Sequence, residues 1–148
     1  MGSAVLLLAA WAAVNPGDIE QRIFQSVNQA RIQRSLPPLE WHQDLAHQAR
    51  LHSRRMAERR FFSHIDPQRG GMAERIRSDP TLPRYRAAAE NLYFAQGSAD
   101  PAREAVLRWL DSPGHRANLL GGSYRRTGIG VAAGRGGAYY VTQIFLAP

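Results

Sequence analysis

The sequence predicts an α+β domain, a small antiparallel sheet covered by helices. Three observations carry that expectation. Residues 19–60 hold two stretches with apolar side chains at helical spacing. Residues 127–145 hold two runs rich in β-branched and aromatic residues, joined by Gly134-Arg135-Gly136-Gly137. No strand–helix–strand alternation links the two regions, which argues against a parallel α/β sheet. At 148 residues and 44% apolar content, the chain is long enough for one domain with a real core.

Each element follows in order. The apolar run Ala4–Val14 is too short to span a bilayer as a helix, which takes about 20 residues. Its length fits the apolar region of a signal peptide, with Ala10-Trp11-Ala12 as a cleavage pattern and no basic residue ahead of it. The expected organisation is therefore a leader over 1–15 and one domain over 16–148. Asn15-Pro16-Gly17-Asp18 is a turn cluster in which Asp18 can cap a helix. Ile19, Ile23, Val27 and Ala30 then recur at helical spacing, and the helix runs to about Ser35 before Pro37-Pro38 stops it. A second helix covers about Gln43 to Arg60 on the stripe Leu45, Ala49, His52 and Met56. Gly70-Gly71 breaks the chain ahead of a short helix over Met72–Ile76. Ala87 to Phe94 reads as a strand, and Pro101 opens a helix to Leu110. Asp111–Gly114 turns into a helical piece ending at Leu120, and Thr127–Ala133 with Ala138–Phe145 form the hairpin.

Within the first strand, ENLYFAQGS at 90–98 is close to a protease cleavage tag. Ala95 puts Gln96 out of register with Glu90 and Tyr93, and the stretch lies mid-chain, so it is native sequence.

Charge and composition exclude several chemistries. All 19 basic residues are arginine against 12 acidic ones, giving a net charge of +7. Without lysine there is no Schiff-base chemistry. Without cysteine there are no disulfides, thiol nucleophiles or thiolate metal sites. The basic surface would attract polyanions such as anionic cell-wall polymers. Nucleic acid is not expected as a partner, because the aromatics fall on apolar faces instead of interleaving with arginine.

Histidine is the scarce reagent. His42, His47 and His52 lie five residues apart along the second helix, about 140° per step, and so cannot share a face. His42 and His47 are expected in solvent, and His52 on the apolar stripe as a hydrogen-bonded core residue. His64 and His115 sit where loops change direction, positions from which sites are often built. Two carboxylates add weight to them: Glu74 in the short helix after the glycine pair and Glu90 at the head of the strand. Spacing alone does not join these four.

A wider pattern does. Asn28-Gln-Ala-Arg31, Leu39-Glu-Trp41, Leu45-Ala46 with Ala49, His52 and Met56, then Phe62-Ser63-His64 and Ala89-Glu90-Asn91-Leu92 occur in order. They are followed by Trp109-Leu-Asp-Ser-Pro-Gly-His115-Arg-Ala-Asn118, Gly128-Ile-Gly130-Val and Tyr140-Val-Thr-Gln143. Over residues 19–146 this set resembles the CAP superfamily, the SCP domain of cysteine-rich secretory, antigen 5 and pathogenesis-related proteins. Ser-Pro-Gly-His-Arg and the lack of cysteine resemble its bacterial branch. The resemblance implies an α-β-α sandwich, secretion, and Glu90 at the start of a central strand. It also implies a central cleft lined by His64, His115, Glu90 and Glu74, where several members bind a divalent metal such as zinc. Relatives are reported to bind lipids. Three functions stay open: a binding module for metal, small molecule or lipid; a zinc hydrolase with Glu90 or Glu74 as general base; and a structural domain for anionic wall polymers. No Gly-x-Ser-x-Gly elbow supports a serine hydrolase.

Overall fold

The computed structural model describes residues 14–148. The leader expected over 1–15 lies outside them, except for Val14 and Asn15. Helix α1 spans Pro16–Ile32, strand β1 Glu40–Trp41, α2 Gln43–Arg59 and α3 Met72–Arg77. Strand β2 spans Ala87–Gln96, α4 Pro101–Asp111, α5 Pro113–Leu119, β3 Arg126–Ala133 and β4 Ala138–Ala147. The sheet order is β1-β3-β4-β2. Both β3 and β2 pair antiparallel with β4, while β1 pairs parallel with β3 through Glu40 and Trp41.

Alternation along β4 separates two cores. Val141 and Phe145 pack with α1 and α4 residues such as Ile23, Val27, Ala105 and Trp109. Ile144 and Leu146 point the other way, onto Leu45 and Ala49 of α2 and Ile76 of α3. The result is the α-β-α sandwich that the resemblance implies. Burying each large aliphatic side chain here contributes about 1.5–3 kcal/mol.

Local chemistry sets the boundaries. Asn15, not Asp18, caps α1: its Oδ1 accepts from the Gly17 N–H at 2.8 Å, and Asp18 sits in the acidic first turn. The helix stops at Ile32, short of Ser35, because Ser35 takes a left-handed conformation (φ 57°) and the Leu36 N–H closes back on the Arg31 carbonyl. Strand β1 has no propensity signal in two residues and was invisible to periodicity. It draws His42 into the structure: the His42 N–H donates to the Thr127 carbonyl at 2.8 Å, leaving the side chain half-buried, not solvent-facing as expected. His47 is exposed.

Helix α2 lies directly on β3. A Cβ added to Gly128 would fall 2.1 Å from the Ala46 nitrogen, and one on Gly130 would fall 2.0 Å from the Arg50 nitrogen. The two glycines, one strand repeat apart, accept successive turns of the helix. Gly128-Ile-Gly130 is a packing notch.

Strand β2 is at the sheet edge, which corrects the expectation of a central strand. Two of its outward carbonyls, near the middle of the strand, are covered by side chains. The Trp109 indole N–H donates to the Leu92 carbonyl at 2.9 Å, and the Asn118 amide reaches that of Glu90 at 3.5 Å.

Candidate functional site

Adjacent residues of β2 point to opposite faces, and the site is built on that fact. Glu90 faces the α2/α3 layer, and Asn91 faces α5. Glu90 is buried, its side chain 2% exposed, and it accepts two hydrogen bonds from Arg75 at 2.7 and 2.9 Å. The His64 Nδ1–H donates to the same carboxylate at 2.9 Å, while 55% of the His64 side chain is open to solvent. With Nδ1 committed as donor, the lone pair of His64 is on Nε2. From the other face, the Asn91 amide donates to the His115 carbonyl at 3.0 Å and accepts from Asn118 at 2.9 Å. The His115 imidazole itself is half-buried. Its pKa is lowered first by burial and then by His64, which favours a neutral imidazole.

The loop carrying His64 is held from behind. Asp66, 1% exposed, pairs with the Arg55 guanidinium and accepts the Gln68 and Arg69 N–H groups. The Arg55 hydrogen bond leads the causes that hold the Asp66 carboxyl well below the usual carboxylate range. His52 is fully buried, and its Nε2–H donates to the Ser63 carbonyl at 2.9 Å. Burial, followed by the Arg75 charge, lowers its pKa, so His52 is a neutral core residue tied to the loop.

The structure brings His64, Glu90 and His115 to one stretch of β2. Glu74 is exposed, and its carboxylate lies over Gly70 and Gly71, without an ion pair among the described residues. Its neighbour Arg75 takes the buried place beside Glu90. The signal was present: Met72, Arg75 and Ile76 share one side of α3, which puts Arg75 inward and Glu74 outward. Among the described residues, no three His, Asp or Glu side chains group as a metal cage. The donors fit a different arrangement, with two imidazoles available and Glu90 as the outer partner that orients one of them. Glu90 does not fit as a direct ligand, because Arg75 and His64 occupy its oxygens.

A three-layer α-β-α domain with two histidines over a buried carboxylate at the sheet edge defines an SCP-type module. The chain belongs to the CAP family: the model described as "Cysteine-rich secretory protein family" matches residues 24–145. It is 34% identical over 127 residues to the uncharacterized membrane protein YlbC of Bacillus subtilis, covering 86% of this chain and 34% of that protein. It is 31% identical over 111 residues to the uncharacterized protein YkwD of the same organism, covering 75% of this chain and 41% of YkwD. A crystal structure of an extracellular SCP-domain protein from Bacillus anthracis superposes with a TM-score of 0.79 at 30% identity, covering 90% of this chain and 41% of that one. The chain thus spans well under half the length of these relatives. No helix among its described residues is long and apolar enough to cross a membrane.

Proposed function

We propose that this domain is a non-catalytic binding module working outside the cytoplasm. Its cleft takes a divalent metal, zinc being the first candidate, on the imidazoles of His64 and His115. The observation that carries the reading is the relay from buried Arg75 and Glu90 to half-exposed His64, which fixes the His64 tautomer and leaves Nε2 without a hydrogen-bond partner among the described residues. A carboxylate behind a histidine is the usual way of orienting a metal-binding imidazole. A bound metal would supply Lewis acidity toward an oxygen of the ligand. Two protein donors leave coordination positions for that ligand, and exposed Phe62 and Ile65 on either side of Ser63-His64 offer it an apolar surface suited to a lipid-like group. The likeness to an extracellular Bacillus anthracis protein supports the location.

A metal-dependent hydrolase would need a free carboxylate as general base. Both oxygens of Glu90 are engaged by Arg75 or His64, and Glu74 is not grouped with the histidines. Binding is therefore the better-supported reading. The test is calorimetric titration of zinc into the full chain and into His64→Ala and His115→Ala. The expected result is about one equivalent bound, lost in both variants, with Glu90→Gln weaker by about 10–100-fold. Folded protein that binds neither zinc, copper nor nickel would refute it.

A further inference from the structure

A second site lies at the far end of β2, where the strand meets the C-terminus of α2 and the β3–β4 turn. Here a cleft of about 190 Å³ is lined by Ala57, Arg60, Phe94, Gln96, Arg135 and Tyr140, among others, and none of its lining residues is acidic. Phe94 and Tyr140 form one wall, their rings edge-to-face at 5.0 Å, and Phe94 is 38% exposed. Neither Arg60 nor Arg135 makes an ion pair or side-chain hydrogen bond among the described residues, a state shared by exposed arginines such as Arg54, Arg59 and Arg77; what sets these two apart is the cleft they both line.

Arg60 is also in the wrong conformation for its residue type. It caps α2 at φ 56° and ψ 48°, the left-handed position that glycine fills at many helix ends. Ser35 ends α1 in the same way, at φ 57°, but the cap of α2 carries a long cationic side chain. Here that side chain lines the cleft.

We propose that this cleft binds a single acidic sugar ring, such as a uronic acid unit, with its carboxylate on Arg60 and Arg135. The size fits: a cavity of about 150 Å³ holds a benzene ring, so about 190 Å³ holds one six-membered ring with a substituent. The electropositive C–H face of a pyranose suits the negative face of an aromatic side chain. Gln96 directs one Nε2 proton at the Gly136 carbonyl at 3.5 Å and keeps its Oε1 and second proton for hydroxyls. The exposed flank of Phe94 suits a ring whose other face stays hydrated, which an aryl carboxylate would leave as exposed apolar surface. Guanidinium groups recognise carboxylates with charge-assisted bonds. Phe62 packs against Phe94 with ring centroids 6.2 Å apart, so the cleft adjoins the His64 loop, but it shares neither histidine and does not depend on the function proposed there.

The test follows the Gln96 side-chain amide and the Phe94 and Tyr140 rings by NMR during titration with glucuronate, glucose and benzoate. Glucuronate should produce saturable shifts. Glucose should bind about tenfold more weakly or worse, the loss expected for charge-assisted bonds to a carboxylate. Arg60→Gly and Arg135→Ser should each weaken glucuronate by a similar factor. Arg60→Gly places glycine at a left-handed cap, so it should melt no lower than the wild type, and lost binding in it cannot be assigned to unfolding. Equal affinity for glucose would overturn the role of the arginines. Benzoate binding as tightly as glucuronate would overturn the sugar assignment. An absence of saturable shifts with glucuronate would overturn the site.

Discussion

Replacing Arg75 with methionine probes the centre of the site. The guanidinium and the Glu90 carboxylate are each 2% exposed and are joined by two hydrogen bonds, so Arg75→Met strands a buried charge. Breaking such a pair from one side costs about 3–5 kcal/mol, a large share of a total stability of about 5–15 kcal/mol. With a urea slope of about 2 kcal/mol per M, the unfolding midpoint should fall by about 2 M. Adding Glu90→Gln removes the stranded charge and should recover about half of the loss or more, so the two substitutions are far from additive. Arg77→Met, exposed on the same short helix, should change stability by less than about 0.5 kcal/mol. An Arg75→Met variant as stable as Arg77→Met would refute the buried pair, and with it the fixed orientation of His64.

Other outcomes follow from the same geometry. Gly130→Ala should destabilise by more than about 3 kcal/mol or prevent soluble expression, because the new Cβ meets helix backbone, whereas Gly114→Ala, with open space around it, should be neutral or stabilising by up to about 1 kcal/mol in thermal melts. The depressed pKa of Asp66 contributes stability that is present above the unfolded carboxylate value, about 4, and is lost as pH falls toward the folded one. Asp66→Asn should therefore flatten the acid limb of urea midpoints. For His52 the folded pKa is also depressed, so protonation opposes folding and stability declines as pH drops below about 6.5. His52→Leu should remove that decline, cost about 1–2 kcal/mol at neutral pH, and leave zinc binding intact.

Much of this fold was legible because its signals are periodic. Ile19, Ile23 and Val27 announce α1, and Tyr139–Phe145 announces β4, each by repetition over several turns or pleats. Strand β1 was not, since two residues carry no period and Glu40-Trp41 is a strand only because β3 lies beside it. The placement of β2 at an edge is likewise a property of sheet order, which local sequence does not encode. At the site, His64, His115 and Glu90 came from an ordered family pattern, but their division of labour did not. Which glutamate turns inward depends on how a six-residue helix is rotated. The spacing of Met72, Arg75 and Ile76 encodes that rotation, and the proximity of Glu74 to His64 in sequence does not.

The covered edge of β2 has a consequence for how the domain can be displayed. An open ten-residue strand would let neighbouring copies join sheet to sheet wherever they are concentrated. Trp109 and Asn118 occupy the Leu92 and Glu90 carbonyls near its middle, and β1, at the opposite edge, is two residues long. A second copy cannot pair along the full length of β2 without displacing these two side chains. Many copies can stand side by side at high density without zipping into a continuous strand array, and each keeps its own cleft open.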